Sequence, residues 1–218
     1  MPSRTYVAQR LGAFAGLVQA RDLAGYRMEP LPQVTAWDHY YDTERGDLLR
    51  QGMCLRVREQ DGEKRAVLRP VRPEDGGPHA EATTQRHPGD PFEPEPGPLR
   101  DALASLLGDG AAGEAGPLAP LLRLRQYRTP RVAYDGARLV GVLTLDVVVL
   151  ELPDGPHASS ELTVELADSG VELDLHALDP YLRAEGLALA DLTTFERGVA
   201  QLPRSLTEPL PETFAVIV

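Results

Sequence analysis

Polar and apolar residues alternate with a period of two along most of this chain, the mark of strands with one buried face. The clearest case is residues 160–167, where Glu161, Thr163 and Glu165 share one face and Leu162, Val164 and Leu166 the other. Met53, Leu55 and Val57 alternate with Cys54, Arg56 and Arg58; past Asp61-Gly62, Ala66 and Leu68 alternate with Arg65, Val67 and Arg69. Asp-Gly between two such runs predicts a tight hairpin, because a primed turn needs φ > 0. Leu122 and Leu124 alternate with Arg123 and Arg125, and beyond Asp135-Gly136, Leu143, Leu145 and Val147 alternate with Val142, Thr144 and Asp146. Asp154-Gly155 marks a further turn. Strands are also predicted over 4–11, with Tyr6, Ala8 and Arg10 opposite Thr5, Val7 and Gln9, over Val34–Asp42 and over 78–86. The sum is about eight antiparallel strands.

Helical spacing is confined to shorter stretches. Phe14, Leu17 and Val18 predict a helix over 13–23, and Leu99, Leu103, Leu106 and Leu107 one over 99–107 that stops at Gly108. Asp179 as cap and Pro180 in the first turn predict a helix to Glu185, and a last helix is expected over 191–202. Residues 44–51 read as a turn or short helix, and 70–77, 87–98 and 109–117 as loops. The expected organisation is one domain over residues 1–202 and a tail over 203–218, whose last five apolar residues suit a sheet edge.

Composition narrows the function classes. The net charge of −11 over 218 residues argues against non-specific nucleic-acid binding. Cys54 is the single cysteine, so no intramolecular disulfide or zinc cluster is expected, and it fits packing as a small residue in a reducing cytosol. No apolar run approaches the ~18 residues of a membrane helix, and the N-terminus lacks a signal-like apolar core. The default is a cytoplasmic protein with no membrane or nucleic-acid partner; the sequence leaves a homodimer open. His39, His79, His87, His157 and His176 lack metal-ligand spacing, and Glu196 and Arg197 read as a structural ion pair.

Four strands carry charges on one face: Arg56/Arg58, Arg65/Arg69, Arg123/Arg125 and Glu161/Glu165. Charged faces turned inward predict a β-barrel with a polar lumen. Arginine forks suit phosphate, and two carboxylates at i and i+2 can share a hard divalent cation. The same pattern also describes solvated arginines, or arginines and glutamates paired across the lumen.

YYDT at 40–43, LLRQGMCLRVRE at 48–59, LTLD at 143–146, ELTVEL at 161–166 and TTFERGVAQL at 193–202 together resemble the CYTH domain, the triphosphate tunnel metalloenzymes. The resemblance implies an α+β fold: an eight-stranded antiparallel β-barrel tunnel with a polar lumen, flanked by helices. It implies a metal-dependent triphosphatase, with Mg²⁺ or Mn²⁺, acting on inorganic triphosphate, polyphosphate or an organic triphosphate. The alternative is a degenerate tunnel that binds polyphosphate, a nucleotide or another polyanion without turnover. Arg56, Arg58, Arg69, Arg123 and Arg125 would hold phosphates, with Arg10 and Arg65 as further candidates. Glu161 and Glu165 would be catalytic and hold the metal, with Asp146 and Glu81 assisting. The family's N-terminal E-x-E-x-K finds Tyr6, Ala8 and Arg10 in its place, its acidic strand has Thr163 in the middle, and the lysine before F-E-R-G is Thr194.

Overall fold

Each predicted run of alternation forms a strand. In chain order the elements are β1 (Ser3–Ala8), α1 (Leu11–Gln19), β2 (Asp22–Leu23), β3 (Tyr26–Pro30), β4 (Val34–Asp42), α2 (Asp47–Arg50), β5 (Met53–Gln60), β6 (Glu63–Pro70), β7 (Ala80–Thr83), α3 (Pro98–Leu107), β8 (Ala119–Asp135), β9 (Arg138–Leu152), β10 (Gly155–Leu166), α4 (Glu172–Ala184), β11 (Leu187–Leu189) and α5 (Thr194–Val199). The computed structural model describes residues 3–9, 11–72, 77–85, 91–108, 117–152 and 154–202, and only the backbone of 11–13. Arg10, most of the loop at 109–117 and the tail at 203–218 lie outside the described residues.

The strand order is β11-β1-β10-β9-β8-β4-β5-β6-β7, with β2 on β3 and β3 on β8. Every strand pair whose register is defined is antiparallel. This is the expected α+β class: a mostly antiparallel sheet with few helices. Among the described residues there are eleven strands rather than about eight, because β2, β3 and β11 have two, five and three residues, too short for alternation to reveal.

Two compact units share the chain. The first comprises Met1–Thr35, Gln126–Val149 and Ala158–Asp191. Its core sets Tyr6, Leu162 and Val164 of the sheet against Leu175, Leu178 and Leu182 of α4. Helix α4 begins at Glu172, eight residues before the predicted first residue Pro180. The real start is set by Asp174, whose carboxylate accepts the Val171 backbone N–H at 2.8 Å, the N-terminal arrangement that satisfies an orphan donor. Pro180 then sits inside the helix on its exposed side, where water can meet the carbonyl that its ring leaves unbonded. Arg131, 5 % exposed, donates to the Val18 carbonyl near the end of α1.

The second unit comprises Ala36–Arg125, Leu150–His157 and Leu192–Val218. Leu55, Val57, Ala66 and Leu68 pack one face of the β5–β6 hairpin on Leu48 of α2 and Leu99 and Leu103 of α3. The hairpin turn has Asp61 at φ 54° and Gly62 at φ 82°, both positive as a primed turn demands. Asp42 ends β4 and accepts the N–H groups of Thr43, Leu48 and Leu49 at 2.8–2.9 Å, which fixes α2. Helix α5 starts at Thr193, its cap, rather than at 191. A Cβ at Gly198 would run into a Leu122 methyl, so a larger residue there would force Leu122 to shift in the buried contact between α5 and the sheet.

Candidate functional site

Strand register decides which charged side chains share a face. Across β5 and β6, Cys54 opposes Arg69, Arg56 opposes Val67 and Arg58 opposes Arg65. Across β4 and β5, Asp38 opposes Arg58 and Tyr40 opposes Arg56. Across β6 and β7, Glu81 opposes Val67. The face turned away from the hydrophobic core therefore carries Asp38, Tyr40, Arg56, Arg58, Arg65, Arg69 and Glu81.

These groups differ in how they are engaged. Asp38 has no exposed surface and accepts two hydrogen bonds from Arg58, from Nε at 2.7 Å and Nη2 at 2.6 Å. Arg56 Nη1 lies 3.8 Å from the same carboxylate. Arg56 Nε and Arg69 Nε are buried with no hydrogen-bond partner among the described residues. Arg65 and Glu81 are exposed, and Arg65 makes a loose 3.8 Å pair with exposed Glu63. Tyr40 stacks on Phe195 of α5, centroids 4.5 Å apart, and burial pushes its hydroxyl well above the ordinary range. Burial likewise raises the Cys54 thiol.

Arg123 and Arg125 do not join this wall. Their guanidinium carbons sit 4.6 and 4.9 Å from the Trp37 ring centroid. Trp37 opposes Glu59 in register, so it belongs to the face of Leu55 and Val57, away from Arg56 and Arg58. Arg123 also pairs with Glu151 at 3.3 Å. Alternation correctly gives each strand two faces, but it does not say which face of β8 matches which face of β5. His39 lies buried on the Trp37 side and is held neutral, down to about 4, by burial first and by the Arg123 charge.

Of the expected metal side chains, Glu161, Glu165 and Asp146 belong to the first unit. In the first unit, Glu161 opposes Val7, Thr163 opposes Thr5 and Glu165 opposes Ser3. Tyr6, in the place of the family's first N-terminal glutamate, lies on the core face with Leu162, and the residues opposite the acidic positions are Ser3, Thr5 and Val7. Thr5 and Thr163 hydroxyls meet at 3.3 Å. Glu161 is buried and accepts from Ser159 at 3.1 Å; Glu165 is exposed. Asp146 accepts from Arg128 Nε at 3.1 Å. Glu81 belongs to the second unit. No group of three His, Cys, Asp or Glu side chains is arranged to hold a cation among the described residues. The predicted Glu196–Arg197 pair is instead Glu196 with Arg72, at 2.8 Å, while Glu196 also accepts the Thr193 N–H that begins α5.

Asp38 is the group that the sequence reading missed. Its signal was its place two residues before Tyr40, on the face that faces the arginines across the ladder. No helix among the described residues is long and apolar enough to cross a membrane.

Solved structures with the same fold exist. A candidate adenylyl cyclase from Hippeastrum, described as having a dominant triphosphatase activity, is 17% identical with a TM-score of 0.59 and covers 94% of this chain and 97% of its own. A candidate adenylate cyclase from Bacillus halodurans is 17% identical with a TM-score of 0.57, covering 89% and 95%. A protein from Pyrococcus horikoshii is 16% identical with a TM-score of 0.50, covering 91% and 96%. No curated protein matches the sequence significantly. The sequence profile of the CYTH domain matches residues 13–197, most of the chain. With its antiparallel sheet and flanking helices, this chain belongs to the CYTH family and has the CYTH tunnel fold.

Proposed function

We propose that the protein captures a linear triphosphate or a longer polyphosphate on the arginine face of its second unit. The observation that carries this reading is the pair of buried Nε–H groups on Arg56 and Arg69 that lack a partner among the described residues. A buried donor left unbonded costs about 1–3 kcal/mol, more when charged, and an anionic oxygen arriving there removes that cost. Planar guanidinium forks match phosphate oxygens better than ammonium groups do. The neutral hydroxyl of Tyr40 stands beside Arg56 and adds no negative charge against the ligand.

The triphosphatase activity of the Hippeastrum protein favours a second reading, hydrolysis of inorganic or organic triphosphate. CYTH enzymes are typically divalent-metal dependent, and Glu161, Glu165 and Asp146 are the carboxylates toward Mg²⁺ or Mn²⁺ in the first unit. They do not form a ready cation site: Asp146 is bonded to Arg128, Glu161 to Ser159, and Glu165 stands in solvent. Capture therefore stands first.

Thermal shift and phosphate release with tripolyphosphate and with ATP, each with Mg²⁺ or Mn²⁺, separate the two. A stabilising shift without release supports capture; metal-dependent release replaces it with hydrolysis; neither effect overturns both. Arg123→Ala serves as the internal contrast. Because Arg123 is stacked on Trp37 and paired with Glu151, its replacement is expected to change tripolyphosphate affinity less than about three-fold, under ~0.7 kcal/mol, by calorimetric titration. A loss like that of the Arg56 variants would return it to the phosphate wall.

A further inference from the structure

We propose that Asp38 is the positioning residue of the arginine face: it prearranges Arg56 and Arg58 for the anion, an inference that rests on the capture reading. Arg56 and Arg58 are two apart on one strand and point the same way, so their side chains start only ~7 Å apart and their charges repel. Without a counter-charge each guanidinium would swing toward solvent. Asp38 supplies that charge from the neighbouring strand. It lies opposite Arg58 in register, is wholly buried, and takes the Nε and Nη2 hydrogens of Arg58 side-on. This two-point contact fixes the plane of Arg58. The same carboxylate lies 3.8 Å from Arg56 Nη1, close enough to hold that guanidinium by charge. Yet Arg56 Nε has no acceptor among the described residues. Asp38 thus restrains both side chains while leaving a buried donor of Arg56 for the ligand. Ordering the arginines in advance removes an entropic cost from binding, and two long side chains make that cost substantial.

Positioning and simple charge counting predict opposite effects of one substitution. Asp38→Asn removes a negative charge from a site for polyanions, so charge alone predicts tighter binding. Asn offers Arg58 one acceptor oxygen but turns an N–H toward the other donor, so the two-point contact is lost. If Asp38 positions the arginines, D38N binds tripolyphosphate at least about ten-fold more weakly than wild type.

The experiment is calorimetric titration of tripolyphosphate into wild type, D38N, R58K and the double variant, with circular dichroism to confirm folding. R58K keeps the charge and breaks the same contact from the other side, so it decides the matter if D38N does not fold. The Arg Nε–H signals in ¹⁵N NMR of the unliganded protein add a readout of order. The expected results are a loss in each single variant, a double variant within about two-fold of the weaker single, and an Arg58 Nε–H protected from exchange in wild type only. Wild-type or tighter binding by D38N, or by R58K where D38N is unfolded, overturns the positioning role while capture stands. No binding by wild type overturns both.

Discussion

Arg56→Ala and Arg69→Ala are each expected to weaken tripolyphosphate binding about 100-fold, close to 2.7 kcal/mol, in calorimetric titration. Hydrogen bonds to charged groups contribute about 1.5–3 kcal/mol, and burial of both Nε atoms puts these two near the upper end. Arg56→Lys should recover only part of the loss, because an ammonium keeps the charge but not the planar donor set. Arg65→Ala should do little, since Arg65 is exposed and pairs only loosely with Glu63. Raising the salt should weaken wild type less than a surface site would weaken, because the buried donors are screened least. Unchanged affinity in both alanine variants would remove the arginine face from the function.

The contrast between Arg56 and Arg123 shows how far the sequence could be read. Period-two alternation identified β5, β6, β8 and β10, and it put the right residues together within each strand. What it could not supply is the match of faces between strands distant in sequence. β5 and β6 are joined by a two-residue turn, so their faces are locked to one another, and the grouping of Arg56, Arg58 and Arg69 follows. β8 lies some fifty residues further on, after loops rich in Pro and Gly, and nothing local ties its parity to that of β5. The same limit explains β1, where Tyr6 looked like a polar-face residue and is in fact wholly buried.

Asp38 and Asp174 escaped for a different reason. Both are acidic residues that alternation or composition marks as surface, yet both are buried because each has arginine partners far away in sequence. A buried carboxylate is tolerated only when paired and hydrogen-bonded, and pairing at a separation of 20 or 36 residues leaves no local trace. The CYTH resemblance reached the fold because five short stretches in order constrain topology, whereas the ion pairs inside that topology join side chains that only the folded sheet brings together. The contact between β1 and β10 is of the same kind: the Thr5 and Thr163 hydroxyls meet at 3.3 Å across 158 residues of sequence.

Asp174→Ala should destabilise the first unit by about 3 kcal/mol and flatten its stability at acid pH. Asp174 accepts from both Nη groups of Arg138, at 2.8 and 2.9 Å, from the Tyr26 hydroxyl at 2.8 Å and from the Val171 N–H at the start of α4. Four donors on one buried carboxylate couple β3, β9 and α4, so its removal strands the hydroxyl and opens the helix end together. The Arg138 side chain is about a third exposed, which keeps the ion-pair part of the effect modest. Arg138 above all, with the Val171 and Tyr26 hydrogen bonds, holds the Asp174 carboxyl well below the usual carboxylate range. Its folded pKa is therefore depressed, and its stabilisation is present above the unfolded value near ~3.9 and lost as pH falls toward the folded one. Tyr26 behaves in the opposite sense: burial and Asp174 push it up to about 12, so its share is fully present below the ordinary ~10 and is lost as pH rises from there through about 12. Urea unfolding at about pH 3 and about pH 7 should thus show a smaller pH difference in Asp174→Ala than in wild type. An identical difference in the two proteins would mean that this network does not govern the acid stability of the first unit.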